Sequence, residues 1–138
     1  MRPKSLLEVS ERVLSSEMEF GPAVREFLDT FYGTNHEEKF RTVAEIPRSV
    51  GMIEDAYLAA VAEHLSLEYR LPVPEWSESI GFDLERPWFA GGLESLKPIL
   101  LVESLLAFRR RMLFVSANAL DRASMHASVN AMKGLPRL

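Results

Sequence analysis

Met52-Ile53-Glu54-Asp55-Ala56-Tyr57-Leu58-Ala59-Ala60-Val61-Ala62-Glu63-His64-Leu65-Ser66-Leu67-Glu68-Tyr69 is the stretch that decides the fold. Ile53, Ala56, Tyr57, Ala60, His64 and Leu67 recur at helical spacing along one side, and Leu58, Val61 and Leu65 occupy the other. A helix that is apolar over most of its circumference belongs in the middle of a domain, because each apolar side needs a neighbour to shield it from water. The expectation is a central helix with other helices packed around it. Glu54 and Asp55 fall in its first turn, where carboxylates meet the positive end of the helix dipole, so they call for no catalytic explanation. His64, on the apolar side, reads as a hydrogen-bonded core histidine before it reads as a ligand or a general base.

Working upstream, three shorter helices are expected. Ser5 to Ser16 sets Leu6, Leu7, Val9, Val13 and Leu14 among Glu8, Glu11 and Arg12, an amphipathic pattern. Gly21-Pro22 opens a second helix with proline in its first turn, followed by Val24, Phe27, Leu28 and Phe31 at i, i+3, i+4 and i+7; Gly33 is its natural stop. Asn35 caps a third, with Glu37 and Glu38 in the first turn and Phe40, Val43 and Ile46 as its apolar face. Pro47 disfavours helical geometry at Ile46 and ends it.

Downstream the pattern changes. Arg70 to Gly92, with Leu71-Pro72-Val73-Pro74-Glu75-Trp76 at its start and Pro87, Gly91 and Gly92 near its end, reads as a long irregular connection. It carries both tryptophans, Trp76 and Trp88, with Phe82 and Phe89 close by. Helical character returns over Leu93–Phe108, with Pro98 at a break or a first turn. Leu105, Phe108, Met112 and Val115 keep helical spacing, and Asn118–Met132 is a last helix ended by Gly134-Leu135-Pro136. The fold class is therefore all-α: one domain over residues 1–138, an irregular bundle of about six helices with a long Trp/Pro-containing connection.

Composition narrows the function classes. At 47% hydrophobic and 26% charged residues, the chain has the balance of an ordinary globular domain. It has no cysteine, which removes disulfides, thiolate metal sites and a cysteine nucleophile. Met1-Arg2-Pro3-Lys4 runs into Leu6-Leu7-Glu8 instead of an apolar stretch of signal-peptide length. The longest apolar run, Pro98-Ile99-Leu100-Leu101-Val102, stops at Glu103, far short of the roughly 20 residues of a membrane span. A cytoplasmic protein without membrane association is expected.

No glycine pattern for phosphate or dinucleotide binding occurs, and no nucleophile elbow surrounds any serine. His36, His64 and His126 fall on three different elements, so no metal site is read. No catalytic residue and no cofactor is assigned, and an enzyme is unsupported.

Charge is uneven. Residues 1–103 hold 10 Lys/Arg against 19 Asp/Glu, whereas 104–138 hold 6 against 1. Such asymmetry draws the two ends of one fold together, or marks the basic end for an anionic partner. Arg109-Arg110-Arg111 is its most conspicuous local expression. Three consecutive helical residues span about 200° around the axis, so at least one of these arginines is expected to pair with a carboxylate of the acidic part. Guanidinium groups and irregularly placed aromatics are also what protein-binding hot spots use. Trp76, Trp88, Phe89, Arg109, Arg110 and Arg111 are accordingly the candidate partner-binding residues. The alternative is a nucleic-acid-binding regulator using the basic C-terminal third.

The stretches Arg25-Glu26-Phe27-Leu28-Asp29-Thr30-Phe31-Tyr32, Ala56 to Leu65, Leu71-Pro72-Val73-Pro74-Glu75-Trp76 and Pro87-Trp88-Phe89, followed by Phe108-Arg109-Arg110-Arg111, resemble a family of small all-helical bacterial proteins. Its members look like antitoxin-like components of paired-gene systems, and the likeness runs over most of the chain. The resemblance implies a protein partner. It brings no catalytic residues, and the chain lacks an obvious DNA-binding extension.

Overall fold

The computed structural model describes residues 2–79, 82–92, 94–123 and 125. Four helices come first: α1 (Leu6–Leu14), α2 (Phe20–Gly33), α3 (His36–Ala44) and α4 (Met52–Glu68). A one-turn 3-10 helix (Glu75–Glu78), strand β1 (Trp88–Phe89) and two more 3-10 turns (Ala90–Gly92 and Glu94–Leu96) lead to α5 (Lys97–Glu103), α6 (Leu106–Arg109) and strand β2 (Leu113–Phe114). The architecture is all-α with one small sheet, in which β1 and β2 run parallel, Trp88 opposite Leu113 and Phe89 opposite Phe114. Among the described residues, no helix is long and apolar enough to cross a membrane.

Local signals set the helix ends. The Ser5 side chain accepts the amide of Glu8, and the Asn35 side chain accepts that of Glu38 at 2.9 Å, so both helices begin on a satisfied donor. Asp55 reaches back from the first turn of α4 to accept the amide of Val50 at 2.8 Å and the hydroxyl of Ser49 at 2.7 Å. The α3–α4 connection is thereby pinned to the helix it feeds.

The core runs as one cluster from Leu6 to Leu120. α4 passes through it, with Ala56, Leu58, Ala60, Val61 and Leu65 buried as its pattern foretold, and Ala59, Ala62, Glu63 and Ser66 buried as well. The rims of that helix depart from the pattern, since Ile53 and Leu67 are exposed and His64 is half-buried. α1 packs on α2 and α3, while α4 packs on α6 and on the Glu75–Glu78 turn. Phe27, Phe31, Tyr32 and Tyr69 stack edge-on or tilted, with centroids 5.3–6.1 Å apart, which joins α2 to the end of α4.

Three expectations are corrected here. The apolar face read for α3 is turned: Val43 is buried, but Phe40 and Ile46 are exposed, and Lys39 and Thr42 face inward instead. Lys39 is accommodated because its Nζ donates to the Thr34 carbonyl, left open at the end of α2, and lies 5.3 and 5.4 Å from the ring centres of Phe31 and Tyr69. The helix expected through Leu105, Phe108, Met112 and Val115 stops at Arg109. Met112 adopts a left-handed conformation (φ 64°), which turns the chain and frees its carbonyl to accept the Trp88 amide at 2.8 Å. Residues 118–120 of the last expected helix form a turn, and 124 and 126–132 of it lie outside the described residues.

Candidate interaction surface

The arginine triplet is spent largely inside the fold. Arg111 is 1% exposed and donates to Glu63 Oε1 at 2.6 Å, to the Ala107 carbonyl at 2.8 Å and to the Ser77 carbonyl at 2.7 Å. Arg110 pairs with the other oxygen of Glu63. Arg109 curls back to donate to the carbonyls of Val102 and Ser104, both at 3.1 Å, closing the C-terminal end of α5. Glu63, on the middle of α4, is thus the carboxylate that the triplet required. Its signal was a lone carboxylate within the Ala59–Leu65 run, and spacing alone did not say that it faced inward.

The aromatic residues divide in the same way. Trp76 is buried, its indole N–H donating to the Val43 carbonyl at 3.0 Å while its ring meets Phe82 at 5.4 Å. Phe89 stacks on Phe114 with centroids 4.9 Å apart and carries Lys97 Nζ over its ring. Trp88 is half-buried and lines a groove of about 470 Å³ with Met52, Ile53, Leu84 and Pro87. Trp76 through its indole N–H, and Arg111 through its two terminal guanidinium nitrogens, hold the connection against α3 and α4. Trp88 and Phe89 are half-buried, and Arg109 and Arg110 are exposed.

A different surface stands out. Leu96, Ile99, Leu101, Val102 and Leu106 are 38–77% exposed, with Val102 the most open of them. In α5 only Leu100 is buried, and the charges Lys97 and Glu103 sit at the two ends. α5 buries Leu100 and leaves Ile99, Leu101 and Val102 exposed, while Leu105, beyond the helix, is half-buried against the core. Dispersed apolar exposure is ordinary, but a contiguous aliphatic ridge is the mark of a binding face. The sequence signal was the run Pro98 to Val102, with no polar position to supply a wet face.

The ridge is firmly mounted. The Ser104 hydroxyl lies 2.5 Å from the Leu100 carbonyl and 3.1 Å from that of Val115, with one proton to share between them, and accepts the Val115 amide at 2.9 Å, tying the α5–α6 corner to the strand region. Lys97 pairs with Glu94 at 2.8 Å at the opposite end.

A further cleft of about 290 Å³ is lined by Tyr32, His64, Glu68, Tyr69, Leu120 and Asp121, among others. Burial pushes the His64 imidazole below its usual range, against the opposing pull of Glu68, Asp121 and Glu63. Burial likewise raises the Tyr32 phenol, whose O–H donates to the Leu120 carbonyl at 2.8 Å. Through that bond Tyr32 ties α2 to the Leu120 turn. Among the described residues, no cluster of three or more His, Cys, Asp or Glu is placed to hold a metal ion.

Compared with protein-family models, with curated proteins and with solved structures, the chain matches none.

Proposed function

We propose that this chain is a non-catalytic protein-interaction module of the cytoplasm, antitoxin-like in the sense that its work is to hold another polypeptide. The observation that carries the reading is the aliphatic ridge Leu96–Leu106, exposed on a corner braced by Arg109 and Ser104. Burying such a ridge against a partner removes apolar surface from water, worth about 25 cal/mol per Å², at little ordering cost because the corner is already held. Of the six residues singled out by sequence, Trp88 and Phe89 are half-buried at the surface, Arg109 and Arg110 are exposed but bonded to acceptors of the chain itself, and Trp76 and Arg111 act by holding the fold.

The nucleic-acid alternative needs uncommitted cations. Arg109, Arg110, Arg111 and Arg122 are each bonded to an acceptor of the chain itself, Arg122 to both oxygens of Asp29 at 2.9 and 3.0 Å. Lys133 and Arg137 lie outside the described residues. The internal pairing favours the protein partner.

The test is co-purification from the native cells under nuclease treatment, comparing tagged wild type with Val102→Asp and Leu106→Asp. Both positions are exposed, so circular dichroism is expected to be unchanged, while recovery of bound protein falls at least about tenfold, a loss of about 1.4 kcal/mol. Equal recovery from variants and wild type sinks the assignment of the ridge.

A further inference from the structure

We infer that the segment 118–122 is an acid-released clasp: it lies closed along the cleft beside His64 while that imidazole is neutral, and opens when the imidazole takes up a proton.

The clasp is fastened to α2 at two points. Tyr32 Oη donates to the Leu120 carbonyl at 2.8 Å, and Arg122 reaches both oxygens of Asp29 at 2.9 and 3.0 Å. Within the segment the Asp121 amide donates to the Asn118 carbonyl at 3.0 Å, and Leu120 is the side chain that enters the core. A short segment held by one buried side chain and a few polar bonds opens at far lower cost than the helices it rests on.

His64 lines the same cleft from α4 and is half-buried. Its ring forms no hydrogen bond among the described residues. The titratable groups around it are Tyr32 from α2, Glu63 and Glu68 from α4, Tyr69 at the end of α4, and Asp121 from the clasp. Glu63 is already taken by Arg110 and Arg111, and Glu68 and Asp121 are exposed, so that water weakens their pull on a charge inside the cleft. An imidazolium needs acceptors for both of its N–H groups, and lifting the clasp is what admits water to supply them. In keeping with this, burial holds the His64 imidazole below its ordinary range against the pull of Glu68, Asp121 and Glu63. A closed clasp therefore binds the proton less readily than an open one. Closure is favoured in full above the ordinary value of 6.5 and gives way as pH falls from there through the lowered value.

Amide hydrogen exchange of the full chain, resolved by residue with NMR between about pH 8 and about pH 5 and corrected for the intrinsic rate, tests the inference. Protection of the Asp121 amide is expected to fall about threefold or more over that range, and to be indifferent to low concentrations of urea, as an opening that exposes little surface is. The amides of Phe31 and Leu65, inside α2 and α4, are expected to follow urea. His64→Gln is expected to abolish the pH dependence at Asp121. Glu68→Gln combined with Asp121→Asn removes the pull that favours the charged ring and is expected to move the loss of protection to lower pH. Level protection of Asp121 in the wild type overturns the acid release. An equal fall in His64→Gln overturns His64 as the group that titrates, and a move to higher pH in the double variant overturns the placement of the two carboxylates about the ring. An Asp121 amide that follows urea as Phe31 does overturns the clasp as a separate unit.

Discussion

Helices α1–α4 bury most of their apolar side chains and leave Leu14, Phe40, Met52, Ile53 and Leu67 exposed at their edges, whereas the segment Leu96–Leu106 leaves most of its own exposed. In the first region Leu6, Val9, Phe27, Leu28, Phe31, Leu58 and Leu65 are buried, each at 0–1% exposure. In the second, five of the large aliphatic side chains face water and only Leu100 enters the core from α5. The first region supplies most of the core, and the second keeps most of its apolar surface outside it. The difference shows that apolar content by itself does not build core: position relative to the polar groups that anchor each segment decides which side chains are covered.

The largest effects are expected where the first region meets the arginine triplet. Arg111→Ala leaves Glu63 with a diminished set of partners deep in the fold and is expected to cost about 3–5 kcal/mol in urea unfolding. Glu63→Leu with Arg111→Met, which removes both charges, is expected to return much of that loss. A double variant as unstable as the single one would show that the Ala107 and Ser77 hydrogen bonds, and not the ion pair, hold the site.

Truncations in the two regions sharpen the contrast directly. Phe27→Ala, at a fully buried ring, is expected to lose about 3–5 kcal/mol. Val102→Ala is expected to stay within about 0.5 kcal/mol of wild type, as exposed substitutions do. Comparable losses at the two positions would mean that α5 belongs to the core after all.

Trp76→Phe keeps an aromatic ring against Phe82 but deletes the hydrogen bond to Val43, leaving that carbonyl open; an unfolding cost of about 1–2 kcal/mol is expected. The smallest effect is that of pH. Because burial lowers His64 in the folded chain, the unfolded chain binds the proton more readily. The contribution is present in full above the ordinary value of 6.5 and is lost as pH falls from there through the lowered folded value. Urea midpoints measured at successively lower pH should fall, and His64→Gln should flatten that decline.

Much of the first region was legible in the sequence, because its signals are local. Asn35 and Ser5 cap helices with their own side chains, Gly33 and Pro47 mark the ends of α2 and α3, and the Met52–Tyr69 pattern requires burial on several sides. The candidate site was only partly legible. The demand that an arginine of the triplet find a carboxylate followed from helical geometry, but Glu63 lies 47 residues from Arg110 and 48 from Arg111, and no local pattern names a partner at that separation. Lys39 facing inward was equally hidden, since its place depends on the open Thr34 carbonyl and the Tyr69 ring arriving from another helix.

By itself, then, the sequence determined the helical class, the central place of α4, the helix caps and the irregularity of the Arg70–Gly92 connection, all of which arise from backbone preferences and hydrophobic period within a few residues. Only the tertiary structure decided that Trp76 and Arg111 are internal braces, that the chain after Arg109 turns at Met112 into a strand paired with Trp88–Phe89, and that the aliphatics of α5 point outward. Those outcomes depend on which donors, acceptors and apolar surfaces from distant parts of the chain meet first-choice partners inside one core of limited room.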